Sequence, residues 1–149
     1  MISATKGTAL IGQDTTTIIV NGGTVSSKVF CAIYAEGANS DVIVCGDGKV
    51  LSQWTGIKVR GNVVVQDNAQ VISRIGAINC TGSGNEVMIS GGTVRSATVA
   101  AIYSDNVTVS GGTVFSYGST ISGVNQVIYQ PSNPESAFTA LTGDGVVIA

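Results

Sequence analysis

A chain of 149 residues, 44% hydrophobic and only 11% charged, is too apolar to stay disordered and long enough to build a core of its own. A net charge of −2 leaves no basic footprint for nucleic acid, and no apolar run reaches the roughly 18 residues of a membrane span. The lack of histidine removes the commonest general base and metal ligand.

Glycine is abundant, Val, Ile, Thr and Ser are frequent and only two prolines occur, a mixture that favours short strands joined by tight turns. Cys31, Cys45 and Cys80 lack CxxC spacing and read as small buried or half-buried hydrophobes. Neither a cofactor nor a metal is expected. Met1–Lys6 lacks the basic start and apolar stretch of a signal peptide. Met1-Ile2-Ser3 reads as the close of a strand, with Leu10 in a later core position, so the regular pattern begins part-way through a repeat. That start predicts a fragment of a longer protein or an end covered by something else, because bare terminal strands are pairing edges.

From Ile18 onward the chain repeats. Val87-Met88-Ile89-Ser90-Gly91-Gly92-Thr93-Val94-Arg95-Ser96 matches Val107-Thr108-Val109-Ser110-Gly111-Gly112-Thr113-Val114-Phe115-Ser116, and Ile18–Ser27 is an earlier copy. Diverged copies run from Val42 to Ser52 and from Val63 to Ser73. Starts at Ile18, Val42, Val63, Val87, Val107 and Val127 give spacings of 24, 21, 24, 20 and 20 residues. A small residue followed by isoleucine recurs at Ala32-Ile33, Gly56-Ile57, Ala77-Ile78, Ala101-Ile102 and Thr120-Ile121, so each coil holds three short strands.

Alternation of period two sends Ile18/Val20, Val42/Val44, Val63/Val65, Val87/Ile89 and Val107/Val109 inward on the first strand. Val25, Val50, Val71, Val94 and Val114 do so on the second strand, and the five isoleucines fill the third side. Coils stacked about 4.8 Å apart align each residue with its equivalents and create a core that no single coil could form. Ser27, Ser52, Ser73, Ser96 and Ser116 predict a ladder of hydroxyls at the next corner, with Ser3 as a further member. Gly22-Gly23, Gly46-Asp47, Asp67-Asn68, Gly91-Gly92 and Gly111-Gly112 mark a corner that needs a left-handed residue in every coil. After Tyr129, Pro131 and Pro134 break the pattern. The expectation is one all-β domain over residues 1–149, a single-stranded parallel β-helix of about six coils, regular over 18–128 with 129–149 as an irregular last coil or cap. The connection rule makes it right-handed.

The Ser-Gly-Gly-Thr-Val units at 90–94 and 110–114 resemble those of secreted and surface proteins of bacteria, gut bacteria among them, in the right-handed parallel β-helix group that includes the pectate-lyase-like enzymes. The resemblance implies an extracellular or cell-surface location. It also implies, for the enzymes, clustered aspartates with a basic residue in a groove, often with calcium. Here no two aspartates share a strand at i, i+2 and long groove-forming loops are missing, so catalysis is not expected to follow.

Outward positions are where function would sit. Ile19, Ile43, Val64 and Met88, followed by Thr108, predict an apolar stripe for packing against another subunit or a flanking domain. Tyr34, Lys58, Asn79 and Tyr103 should line the third strand, with Glu36 and Glu86 in adjoining turns and Trp54, near Phe30 and Tyr117, at the preceding corner. That set could bind a glycan, aromatic faces stacking and carboxylates or amides meeting hydroxyls. Glu36 and Glu86, two coils apart, would lie about 10 Å from each other, near the upper limit for paired glycosidase carboxylates. A solvated face of compensating charges explains the same residues. The expected function is a non-catalytic structural or adhesive module, the alternative a carbohydrate-binding or carbohydrate-active one, with no nucleic acid and no membrane insertion.

Overall fold

The computed structural model describes residues 1–117, 120–121, 124–125, 127–129 and 144–148. The described residues form strands and turns, with no helix. The chain opens with β1 (Ile2–Ala4), β2 (Leu10–Gly12), β3 (Thr17–Asn21), β4 (Thr24–Ser27) and β5 (Ile33–Ala35). It continues through β6 (Asp41–Cys45), β7 (Lys49–Ser52), β8 (Ile57–Val59), β9 (Val63–Val65), β10 (Gln70–Ser73) and β11 (Ile78–Cys80). β12 (Glu86–Ser96), β13 (Ile102–Tyr103), β14 (Asn106–Ser116), β15 (Thr120–Ile121), β16 (Val124–Asn125), β17 (Ile128–Tyr129) and β18 (Val146–Ile148) complete it.

These strands stack in three parallel rows, making a β-solenoid of about five turns. β3, β6, β9 and the first halves of β12 and β14 form the first row. β1, β4, β7, β10, the second halves of β12 and β14, and β18 form the second. β2, β5, β8, β11, β13 and β17 form the third. The repeat-to-repeat alignment read from the sequence is the pairing register: Ile18↔Val42↔Val63↔Val87↔Val107, Val25↔Val50↔Val71↔Val94↔Val114 and Ile33↔Ile57↔Ile78↔Ile102. The inward members of these columns are buried, apart from Ile18 at the first coil, which is partly covered.

The corner between first and second rows turns on left-handed residues at Gly22, Gly46, Asp67, Gly92 and Gly112, with φ of 78°, 56°, 59°, 72° and 73°. At Gly92 an added Cβ would lie 2.1 Å from the Ala69 carbonyl oxygen of the coil beneath, so hydrogen is the only side chain that fits. Asp67 takes the conformation without being glycine, and its Oδ2 accepts the Gly46 N–H at 2.8 Å. The serine ladder sits at the next corner. Ser52 Oγ donates to the Phe30 carbonyl at 2.8 Å and accepts the Trp54 N–H at 3.0 Å, tying two coils together. Ser27 does the same, donating to the Gly7 carbonyl at 2.6 Å and accepting the Phe30 N–H at 3.2 Å. Ser96 and Ser116 lie 3.1 Å apart and share the Val99 carbonyl. Ser73 Oγ is buried with no protein partner.

The two ends differ from expectation. Ile2 pairs with Val25 and Ser3 with Ser26, so the ladder position belongs to Ala4, one residue on, while Leu10 takes its expected place beside Ile33. Val127 does not begin a sixth first-row strand. Its carbonyl accepts the Ala101 N–H at 2.7 Å, and Ile128 pairs with Ile102 in the third row. Thr120-Ile121 pairs antiparallel with Val124-Asn125 instead of joining that row. Val146–Ile148 adds to the second row on Thr113–Phe115, and the other late apolar stretch, 137–141, lies outside the described residues.

Candidate functional site

Because the interior is filled, the chemistry available to a partner lies on the outward columns. On the first row the register aligns Ile19, Ile43, Val64, Met88 and Thr108. Ile19 is 61% exposed and Met88 37%, with Ile43 and Val64 partly covered by their neighbours. Thr108 ends the apolar run, and its Oγ1 donates to Glu86 Oε1 at 2.6 Å.

The third row aligns Ile11, Tyr34, Lys58, Asn79 and Tyr103. Lys58 Nζ stands 5.5 Å from the Tyr34 ring centroid, a cation–π contact between successive coils. Loss of solvent, then the charge of Glu36 and its hydrogen bond, raise the Tyr34 phenol above its ordinary value, with Arg60 pulling the other way. Asn79 Oδ1 is buried without a protein partner, between Lys58 and Tyr103 in the register.

The structure divides the remaining candidates. Trp54, 53% exposed, and Phe30, 56%, stand at the corner before the third row, and Glu36 stands at its far end. Glu36 follows Ala35, so its column is that of Arg60 and Thr81. Glu86 opens a first-row strand and belongs to the column of Asp41, Asn62 and Asn106. The two carboxylates therefore belong to different columns, one at the end of the third row and one at the start of the first.

Glu86 has a structural setting that sequence reasoning missed. Asp41 Oδ1 accepts the Asn62 N–H at 2.7 Å, and Asn62 Oδ1 accepts the Glu86 N–H at 3.0 Å. Each side chain thus caps the backbone of the coil above. A second feature missed is the outward column of the second row, Leu51, Ile72, Arg95, Phe115 and Ile148. There the Arg95 guanidinium lies 6.0 Å from the Phe115 ring centroid, and Phe115 meets Tyr117 edge-on at 5.0 Å. Reading the position after each second-strand valine as a column would have found it.

No protein-family model, no curated protein and no solved structure matches this chain. The three cysteines are free thiols. Burial raises the thiols of Cys31 and Cys80 above their ordinary value, and Cys80 Sγ donates to the Gly61 carbonyl at 3.2 Å. No group of three or more possible metal ligands occurs among the described residues, and no helix there is long and apolar enough to cross a membrane.

Proposed function

We propose that this β-solenoid is a non-catalytic structural or adhesive module of a bacterial surface or secreted protein. Right-handed winding and kinship with the pectate-lyase-like group belong to the same proposal. The observation that carries it is the column Ile19–Ile43–Val64–Met88, four aliphatic or thioether side chains aligned on consecutive coils and at least partly open to solvent. A solvated strand face has no need of such a run, whereas lateral packing against a second copy or a flanking domain does. Sedimentation of the purified chain tests the homo-oligomer. Concentration-dependent association that is lost in Val64→Lys with the fold intact supports it, and a monomer at every concentration removes it.

A second reading, glycan binding, draws on the third-row strip, where Tyr34, Lys58, Asn79 and Tyr103 alternate aromatic, cationic and amide groups in one line. Glycans retained on an array and lost with Trp54→Ala or Tyr103→Ala would support it. A carbohydrate-active variant of this reading requires polymer cleavage that disappears on Glu36→Gln or Glu86→Gln.

A further inference from the structure

The solenoid sorts its charges around the coil. The first row and the corner that follows it carry Asp41, Glu86, Asp47 and Asp67 and, among the described residues, no lysine or arginine. The corner between the second and third rows carries Lys6, Lys28 and Arg74 and, among the described residues, no aspartate or glutamate. A net charge of −2 thus conceals two surfaces of opposite sign.

Both surfaces set a charged column beside an apolar one. On the first row, Asp41, Asn62 and Glu86 stand one above another, and Ile43, Val64 and Met88 lie two residues further along each strand. At the corner, Lys28, Gln53 and Arg74 each follow a serine of the ladder and continue its pairing. Gln53 N–H donates to the Ser27 carbonyl at 3.2 Å and Arg74 N–H to the Ser52 carbonyl at 3.0 Å. Next along the chain come Phe30, Trp54 and Ile75, the first two exposed and the third half-buried. In each place the two charges stand two coils apart, about 10 Å at the strand spacing, with an amide between them.

We infer that the first row of one molecule receives the cationic corner of a second copy. The inference rests on the lateral packing proposed above and names the surface that meets the stripe. Acidic column then faces cationic column, and Ile43–Val64–Met88 faces the exposed aromatics. Viewed from outside, the chain crosses every face of a solenoid in the same sense. Two faces pressed together therefore keep both columns matched only with their axes antiparallel. Lys28 then stands opposite Glu86, Arg74 opposite Asp41, and Trp54 over Val64. A three-sided coil places this corner across the core from the first row, so a molecule that uses one surface still offers the other. The contact is heterologous and extends into an open row of molecules instead of closing as a dimer. A stripe-on-stripe dimer would bring acids against acids.

Sedimentation of the full chain separates the two contacts. Association of the unmodified chain should weaken by more than about tenfold between about 0.05 M and about 0.5 M salt. A stripe-on-stripe dimer would tighten, because salt screens its repulsion, and that result overturns the inference. Two variants, each checked for its fold by circular dichroism, give a second test. Val64→Lys blocks the stripe, and Lys28→Glu with Arg74→Glu reverses the corner, so each is expected to stay monomeric alone. Mixed, they should form a one-to-one pair that grows no further, since the intact corner of one fits the intact stripe of the other. Within one chain, Lys28→Glu with Glu86→Lys should associate more tightly than Lys28→Glu alone; a looser association overturns the antiparallel match. Association lost in Val64→Lys, kept in the corner variant and not recovered by mixing overturns the inference while leaving lateral packing through the stripe in place. A chain that stays monomeric at every concentration removes both.

Discussion

Alanine substitutions at two corner glycines measure how closely the coils are stacked. Gly23 and Gly92 hold equivalent places in the repeat and similar backbone angles, φ of 70° and 72°. They differ in what lies beneath: no atom lies within 4 Å of a Cβ built on Gly23, while one on Gly92 meets the Ala69 carbonyl oxygen at 2.1 Å. Gly23→Ala should therefore show the conformational cost alone, about 1–2 kcal/mol for a left-handed alanine, reduced by several tenths through the stiffer unfolded chain. Gly92→Ala adds a contact that must open by about 1 Å. The Ala69 carbonyl cannot yield freely, because it accepts the Thr93 N–H at 2.9 Å. Overpacking of about 1–3 kcal/mol and a weakened ladder bond of about 1 kcal/mol bring the total to about 3–5 kcal/mol. That is a large share of the 5–15 kcal/mol typical of a domain. Urea titrations followed by circular dichroism give both numbers. Equal costs for the two substitutions would refute the close stacking at this corner.

Ile57→Ala, in a fully buried column whose neighbours Ile33 and Ile78 are held by backbone pairing, should cost about 3–5 kcal/mol in the same assay, against less than about 0.5 kcal/mol for Ile11→Ala at the exposed end. Ser52→Ala should cost about 1–2 kcal/mol because it orphans the Trp54 N–H and the Phe30 carbonyl, whereas Ser73→Ala, which removes a hydroxyl without a protein partner, should be close to neutral. Burial raises the Cys80 thiol above its ordinary 9.0, so the unfolded chain ionises first as pH rises. The Cys80 contribution should be complete below pH 9 and fade as pH climbs through the raised value. Thermal melts between pH 8 and 11 should show a shallower alkaline decline for Cys80→Ala.

The columns were legible because two periodicities agree: alternation within a strand sets the face, and the repeat of 20 to 24 residues sets the neighbour. Val42, Val63 and Val87 could be placed on one line without any coordinates. The last coil was misread for a physical reason. Thr120-Ile121 imitates the small-residue–isoleucine signature of the third row, and Val127-Ile128-Tyr129 imitates a first-row start, but backbone pairing gives the third-row place to Ile128. The offset at Ser3 arose similarly, since a stretch of three residues can slide by one. The outward sites were half legible. Positions inside strands, such as Tyr34, Lys58 and Met88, follow from the register, while corner residues do not, because corners vary in length and path. Glu36 and Glu86 were paired by coil number, yet the chain turns between their two columns. The ladder of Asp41 and Asn62 escaped notice because the two share a role, each accepting a backbone N–H of the coil above, without sharing a residue type.

Everything rests on consecutive coils lying parallel, each strand beside its counterpart one turn away. Solution NMR measures this directly through the short proton–proton contacts that join paired strands. Contacts from Ile57 to Ile33 on one side and to Ile78 on the other, in parallel register, are the predicted result. Contacts joining sequential strands as antiparallel hairpins, Thr17–Asn21 against Thr24–Ser27 for instance, would contradict it.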